Sequence, residues 1–449
     1  MSFSHDRRGQ SVVVGTVILF GFLIVALSIY QVQFVPTENS EVEFEHSQGV
    51  ESDFLDLRNG ILQAGSTGAA QSQRIRLGTR YPQRTFFLNP PAASGSLQTT
   101  DTEEFRIENV TVSGGENVEA YWEDRELNFS TRSLQYRPQY NEYRDAPKLT
   151  YEHSSVAAEF GTDEAVLLRG SPTVLRGDVG NQSISITALT GEYSANGVEP
   201  RSVDLQSVSQ GTRTVTVSSD GDSRIVLPTA VENTTALAEQ WNQRTPANVS
   251  DGPERIYIDL DGSYPLRLSE VSVDGSGGTE PAYIVPVGSR DVMEGQSIGV
   301  EVRDEYNNPV QGADVVISDS DDRTTDDDGR VFYTPEPDES IASINGSFDS
   351  NKPSYESVKF NVSRTGEGGG DANRTFDVQW NSTYINELEP LPLEEHIVIN
   401  GTVSVDDESL DNATVDFATN NSSIATFQGE GNTTTTTVDG TFTTNVSTG

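Results

Sequence analysis

Apolar and polar positions divide the chain into three regimes. From Val12 to Tyr30, nineteen consecutive residues carry no charge and are dominated by Val, Ile, Leu and Phe. At about 1.5 Å per residue, such a helix nearly spans a hydrocarbon core of roughly 30 Å. Gln31 to Val35 can extend it, and Pro36 is expected to interrupt it. The second regime has a helical period. Val50, Phe54, Leu57 and Ile61 recur at i, i+4, i+7 and i+11 with acids opposite, which predicts an amphipathic helix stopping at Gly65. From Arg74 the pattern shortens to alternation. RIRLGTRY, RTFFLNPP, FRIENVTVS, SISITALTG, RTVTVSSDG, SRIVLP, RIYIDLDG and YPLRLSEVSVDG each read as a strand closed by Gly, Pro or Asp. Among them NTTALAEQWNQR reads as a helix, with Leu237 and Trp241 on one face and Asn233 or Thr234 as its cap.

The distal part repeats a theme. IGVEVRDEYNNPVQGADVVISD parallels IVINGTVSVDDESLDNATVDFATN, and RTTDDDGRVFYTPE parallels TTTTVDGTFTTNVS. DGSGGTEP at 274–281 and GEGGG at 366–370 read as linkers around the first copy. The second copy ends at Gly449 with no stretch left for a closing strand, and is read as incomplete.

Charge and composition narrow the setting. The chain carries 69 acids against 29 bases, a net charge of −40, so nucleic acid and anionic lipid surfaces would repel it. Only Lys148, Lys352 and Lys359 are lysines among those bases. An acid-rich, lysine-poor surface resembles those of halophilic archaea, where concentrated salt screens self-repulsion over a few ångströms. The absence of cysteine excludes disulfides, thiolate metal sites and a cysteine nucleophile.

Arg7 and Arg8 precede the apolar run, and Glu38, Glu41, Glu43 and Glu45 follow it. This asymmetry predicts a cytoplasmic N-terminus and an exported remainder. Three fates of the run stay open. It is an unprocessed single-pass anchor, or a secretory signal whose small-residue candidate, Ala26-Leu27-Ser28, lies inside the run. Alternatively, the residues RRGQSVVVGTVILF resemble the class III signal of archaellins and archaeal type IV pilins. That resemblance implies cleavage between Gly9 and Gln10, with the helix retained. GQSVVVGTVILFG through LRNGILQAG, LGTRYP, NPPAASGSL and YNEYRDAP resemble an uncharacterised haloarchaeal pilin-like surface family. The order strand, D-x-x-x-N-P-V-x-G-A, strand, T-D-x-D-G, strand resembles invasin-type bacterial immunoglobulin-like domains and carboxypeptidase-regulatory-like modules.

The expected fold class is mainly β: an N-terminal transmembrane helix and amphipathic helix, a β-rich pilin-like head, then immunoglobulin-like β-sandwich repeats. The expected boundaries are a leader at 1–9, the helix at 10–35, the head at 36–274, and sandwiches at 281–365 and 371–449.

Candidate chemistry is sparse. His5, His46, His153 and His396 are scattered, and no HExxH, GxSxG, Walker or dinucleotide motif occurs. His153 stands next to Ser154, but neighbours in sequence do not make a catalytic pair. A calcium loop with Gly329 at its sixth position would need Thr324 first and Pro335 twelfth, so the Asp-rich turn is read as a hairpin. Asp259-Leu260-Asp261-Gly262 fails similarly. The run Tyr136 to Arg144 suits either stacking on a ligand or packing over a sheet edge. Glycosylation sequons begin at Asn109, Asn128, Asn181, Asn233, Asn248, Asn345, Asn361, Asn373, Asn381, Asn400, Asn412, Asn420, Asn421, Asn432 and Asn445, crowded distally as in a glycan-coated stalk. No enzyme activity, cofactor or metal is expected. The expected partners are the membrane and, beyond it, pilin-like subunits or cell-surface proteins and glycans. The function expected is a structural or adhesive surface role. The alternatives are a surface ectodomain binding polysaccharide or protein, or a non-catalytic part of a longer secreted enzyme.

Overall fold

The computed structural model describes residues 8–448 except 124, 162–164, 178–180, 276, 294, 318–320, 336–340, 347, 349–353, 364–375, 381–395, 406–407, 411–413, 419–424, 428–431 and 440. The chain is mainly β with one N-terminal apolar helix and several antiparallel sheets. Four α-helices occur among the described residues: α1 (Arg8–Ile29), α2 (Val35–Thr67), α3 (Glu116–Glu123) and α4 (Thr234–Asn242). The chain forms two compact units, one of residues 1–113 and 125–278, the other of 114–124 and 279–449.

In the first unit α2 is the core helix. Val50, Phe54, Leu57 and Ile61 are fully buried, as their spacing requires. Each contributes about 1.5–3 kcal/mol by leaving water. They share one cluster with Leu97, Leu134, Tyr136, Leu149 and Tyr151 of a six-stranded antiparallel sheet, and with Ile75, Leu189, Val203, Leu205, Val271 and Val273 of a ten-stranded sheet. The helix does not stop at Gly65. It runs to Thr67, and Gly68 closes it at φ 74° with its N–H on the Ala64 carbonyl. Gly65 instead permits close packing, since a Cβ there would lie 2.8 Å from Ser269 Oγ.

Two further expectations change. RTVTVSSDG and SRIVLP are not two strands but one, Val215–Pro228, whose register against Glu103–Ser113 shifts between Ser219 and Arg224. Gly221, at φ 101°, lets the chain pass through that irregularity instead of turning back. RTFFLNPP is no strand at all: Ile75 ends one strand and Ser94 begins the next. Pro82, Pro90 and Pro91 remove the donors a ladder would need. The large sheet is mostly antiparallel, with Ser183–Thr190 lying parallel to Ser263–Val273.

In the second unit, a sheet of Tyr283–Val287, Ile298–Arg303 and Arg330–Tyr333 shares one core with a five-stranded sheet. The latter runs Asp291–Met293, Ser357–Ser363, Ile341–Gly346, Asp314–Ile317, Asp321–Thr324. This is a β-sandwich with a parallel edge pair at Asp291–Met293. Helix α3 belongs to this unit although it lies in the first unit's stretch of sequence. Asn117 Nδ2 donates to the carbonyls of Ile284 and Ser357, at 2.8 and 3.1 Å. Tyr121 stacks on Tyr283 with centroids 4.5 Å apart. Farther along, His396–Val405 pairs with Thr441–Thr448, and Thr414–Ala418 with Asn432–Thr436, around the smaller core of Val403, Phe417 and Phe442.

Candidate functional site

The apolar run and its junction with the head form the strongest feature. Val12–Thr67 is long and apolar enough to cross a membrane, and its most apolar stretch buries nothing against the protein. Phe20, Phe22, Leu19 and Val32 are 61–72 % exposed. A helix apolar on every side has no aqueous face, and so fits a membrane-anchored protein. Pro36 does not break it. Lacking an N–H, Pro36 leaves the Val32 carbonyl without its usual donor, and the helix answers with a single π segment, Tyr30–Phe34. There the Val35 N–H bonds the Tyr30 carbonyl, and α2 continues directly.

A loop grips this π segment. Gln31 makes both amide bonds to the Leu88 main chain: Nε2 donates to its carbonyl at 2.9 Å, and Oε1 accepts its N–H at 3.0 Å. The Tyr30 and Phe87 rings lie 4.5 Å apart. Arg84, whose side chain is 9 % exposed, ties the base of the loop to α2. It donates to Glu38 and Asn39 at 2.9 Å each, and also to Asn89. Asn89 in turn donates to the Pro82 carbonyl at 2.7 Å, closing the loop on itself. The Arg84 bond holds the Glu38 carboxyl below the usual carboxylate range. At the tip, Phe86 and Leu88 are 83 % and 82 % exposed, above every other large apolar side chain described.

One turn farther along α2, the fully buried Glu43 organises a second loop. Its carboxylate accepts the N–H groups of Asn141, Glu142 and Tyr143 at 2.8, 2.9 and 2.6 Å, and the Tyr81 hydroxyl. The run Tyr136 to Arg144 thus packs against the helix. Tyr136 is buried with its hydroxyl on the Leu77 carbonyl, Tyr140 bonds His46 Nδ1 at 2.6 Å, and Tyr143 meets Phe44 edge-on.

His153 and Ser154 are not brought together as base and nucleophile. They are the two central residues of a hairpin between Lys148–Glu152 and Ser155–Phe160, with φ 44° and 65°, as a type I′ turn needs. His153 Nε2 lies 2.6 Å from the Pro228 carbonyl, and burial pulls the imidazole down to about 4. Ser154 Oγ accepts the Thr173 N–H, while its carbonyl accepts from Arg58 of α2 at 2.5 Å. Next to them burial pushes the Glu152 carboxyl up to about 7, despite bonds from Thr229 Oγ1, Ala230 N–H and Ser133 Oγ.

The Asp-rich turns cap themselves. Asp304 Oδ1 accepts from the N–H groups of Tyr306 and Asn308, and Asp326 Oδ1 from those of Asp328 and Arg330. Among the described residues no group of three or more His, Asp or Glu could hold a metal ion. Asp259 accepts from Asn248, and Asp261 from the Tyr264 hydroxyl.

Of the sequon asparagines, Asn109, Asn181, Asn248, Asn361, Asn400 and Asn445 are exposed, while Asn128, Asn233 and Asn345 are half-buried. Asn233 is the α4 cap, accepting the Ala236 N–H at 3.0 Å. Asn432 lies in a strand. Asn373, Asn381, Asn412, Asn420, Asn421, the 366–370 linker, Lys352 and His5 fall outside the described residues. Gly9 and Gln10 are helical.

Sequence reasoning missed Gln31, Arg84, Phe86 and Leu88 as a unit. The signal was the proline pair after the FFL triplet, which argues against a ladder strand.

No family model matches the chain. An uncharacterized protein of Archaeoglobus fulgidus is 25% identical over 326 residues, covering 68% of this chain. The match takes in 53% of that protein, so the chain spans about half the length of the relative it resembles. Among solved structures, one described as a putative membrane anchored protein from Corynebacterium diphtheriae aligns over 85% of this chain and 80% of its own, with 9% identity and a TM-score of 0.14. That likeness is too slight to inform the fold.

Proposed function

We propose that α1 fastens the protein in the cell membrane, with the N-terminus cytoplasmic and both units displayed outside in a structural or adhesive role. The observation that carries this reading is the fully exposed apolar α1 running without a break into α2, the core helix of the head. Anchor and head share one rod, so a load on the head passes directly to the lipid-embedded segment. A pilin-like form of the same role, in a halophilic setting, has α1 packing against α1 helices of other copies after cleavage between Gly9 and Gln10. Supporting a non-enzymatic role, His153 and Ser154 serve a buried turn, and the aspartates cap their own loops.

Mass spectrometry of the mature N-terminus, in native membranes and in material sheared from cells, tests the proposal. An N-terminus at or before Gln10 in membranes is expected, and a start at Gln10 in sheared filaments would add assembly. A product beginning at Ile29 in the culture fluid would overturn both anchoring and assembly.

A further inference from the structure

We infer that the loop from Pro82 to Asn89 is a second membrane contact, seating Phe86 and Leu88 in the lipid leaflet where α1 leaves the bilayer. The inference rests on α1 being a membrane span, and adds to it a site on the head itself.

Position is the first support. Val12 to Gln31 covers roughly 30 Å of helix at 1.5 Å per residue, the thickness of a hydrocarbon core. Gln31 therefore falls at the boundary between acyl chains and headgroups, and Gln31 is the residue that holds the loop through both Leu88 main-chain groups. The loop tip is fixed at the height where aromatic side chains concentrate in membrane proteins.

Chemistry is the second support. Thr85, Phe86, Phe87 and Leu88 carry no charge. The adjacent charges are turned away from the tip, with Arg84 closed onto Glu38, Asn39 and Asn89. Tyr30 donates to Glu38 at 2.8 Å and stacks on Phe34, so polar tips and apolar rings are interleaved as at an interface. Phe86 and Leu88 are exposed beyond the side chains of α1 itself. A rigidly tied loop presenting two large apolar residues to water, continuous with an apolar helix, fits a lipid surface.

Rigidity is the third support. Arg84 clamps the base, Asn89 closes the ring onto Pro82, and Asn141 Nδ2 donates to the Pro91 carbonyl at 2.9 Å. The loop would enter lipid already ordered, and two contacts, helix and loop, would set the tilt of the head relative to the membrane.

The chain has no cysteine, so a single substitution gives one labelling site without background. Nitroxides are placed on the full chain at Phe86→Cys and Leu88→Cys, with Phe22→Cys as the buried-in-lipid reference. Met293→Cys, 55 % exposed in the second unit, is the aqueous reference. In phosphatidylcholine vesicles, collisions with dissolved oxygen are compared with those of a water-soluble nickel chelate. The expected result is loss of nickel collisions at 86 and 88, with oxygen favoured but less than at 22, while 293 keeps its nickel collisions. Labels at 86 and 88 that match 293 while 22 stays lipid-embedded would overturn the loop contact and leave the anchor standing. Labels at 22 that match 293 would overturn the anchor, and the loop contact with it. Spin–spin broadening at 86 and 88, removed by dilution with unlabelled protein, would show a second copy covering the loop and would also overturn the inference.

Discussion

The two halves of the N-terminal rod have the same backbone and opposite surroundings. In α1 the apolar side chains surround the helix and face no protein; in α2 the stripe of Val50, Phe54, Leu57 and Ile61 is wholly enclosed, with Phe44 nearer the junction still exposed. The difference lies in where polar residues are allowed. Between Val12 and Tyr30 there are no charges, whereas α2 alternates acids with its stripe and even buries Glu43 and Asp53. Both buried acids have partners: Glu43 three main-chain donors and Tyr81, Asp53 a two-pronged bond from Arg76 at 2.9 and 2.6 Å. A helix can therefore be continuous in geometry while its two parts are stabilised by different solvents.

The widest separation of the halves comes from phenylalanine truncation. Phe54→Ala should cost about 3–5 kcal/mol in the unfolding of the first unit, by cavity formation in its core. Phe22→Ala, at a site 72 % exposed, should stay within about 0.5 kcal/mol in the same detergent-solubilised protein. Denaturant titrations that move equally for the two variants would break the contrast.

A pH series sharpens it, because α2 holds a titrating hairpin through Arg58 and α1 holds none. Glu152 rises from an ordinary 4.5 to about 7 in the fold, so its effect costs stability as pH climbs from 4.5 to 7. His153 falls from 6.5 to about 4, so its effect costs stability as pH drops from 6.5 to 4. The two slopes oppose each other between 4.5 and 6.5 and largely cancel in the parent protein. Glu152→Gln should expose the histidine effect, with stability falling below pH 6.5. His153→Asn should expose the carboxyl effect, with stability falling as pH rises towards 7. Each excursion is at most about 3 kcal/mol. Parallel curves for the two variants, measured by thermal unfolding, would rule out this opposition.

A smaller loss than that of Phe54→Ala is expected at the end of the rod. Gly68→Ala places a Cβ at φ 74° and should cost about 1–2 kcal/mol, read as a lower midpoint for the head. An unchanged midpoint would mean that tertiary contacts, not the cap, stop α2.

The sequence disclosed what periodicity encodes. The α2 stripe follows from spacing, and the α4 cap, open between Asn233 and Thr234 in the sequence, falls to Asn233. In the repeat the correspondence reaches single bonds: Thr325 Oγ1 donates to the Val310 carbonyl and Thr437 Oγ1 to the Leu410 carbonyl, both at 2.6 Å. Val310 and Leu410 each donate to a strand carbonyl, of Val302 and Val403, at 2.9 Å. Features that depend on distant partners stayed hidden. The FFL triplet looks like a strand until Gln31 and Arg84 hold it as a loop. His-Ser lacks the Asn-Gly chemistry usual in a two-residue turn, and its bonds to Pro228, Arg58 and Thr173 secure it. ENVEAYWE is too short to announce a helix without Tyr283 to stack upon.

Helix α3 also governs how the molecule can be dissected. Because residues 114–124 belong with 279–449, no single cut of the gene releases the second unit whole. A fragment starting at Thr279 would leave Tyr283 without its stacked Tyr121 and the Ile284 and Ser357 carbonyls without Asn117. A faithful excision needs the eleven-residue segment grafted back, either as a synthetic peptide added in trans or as a fused leader.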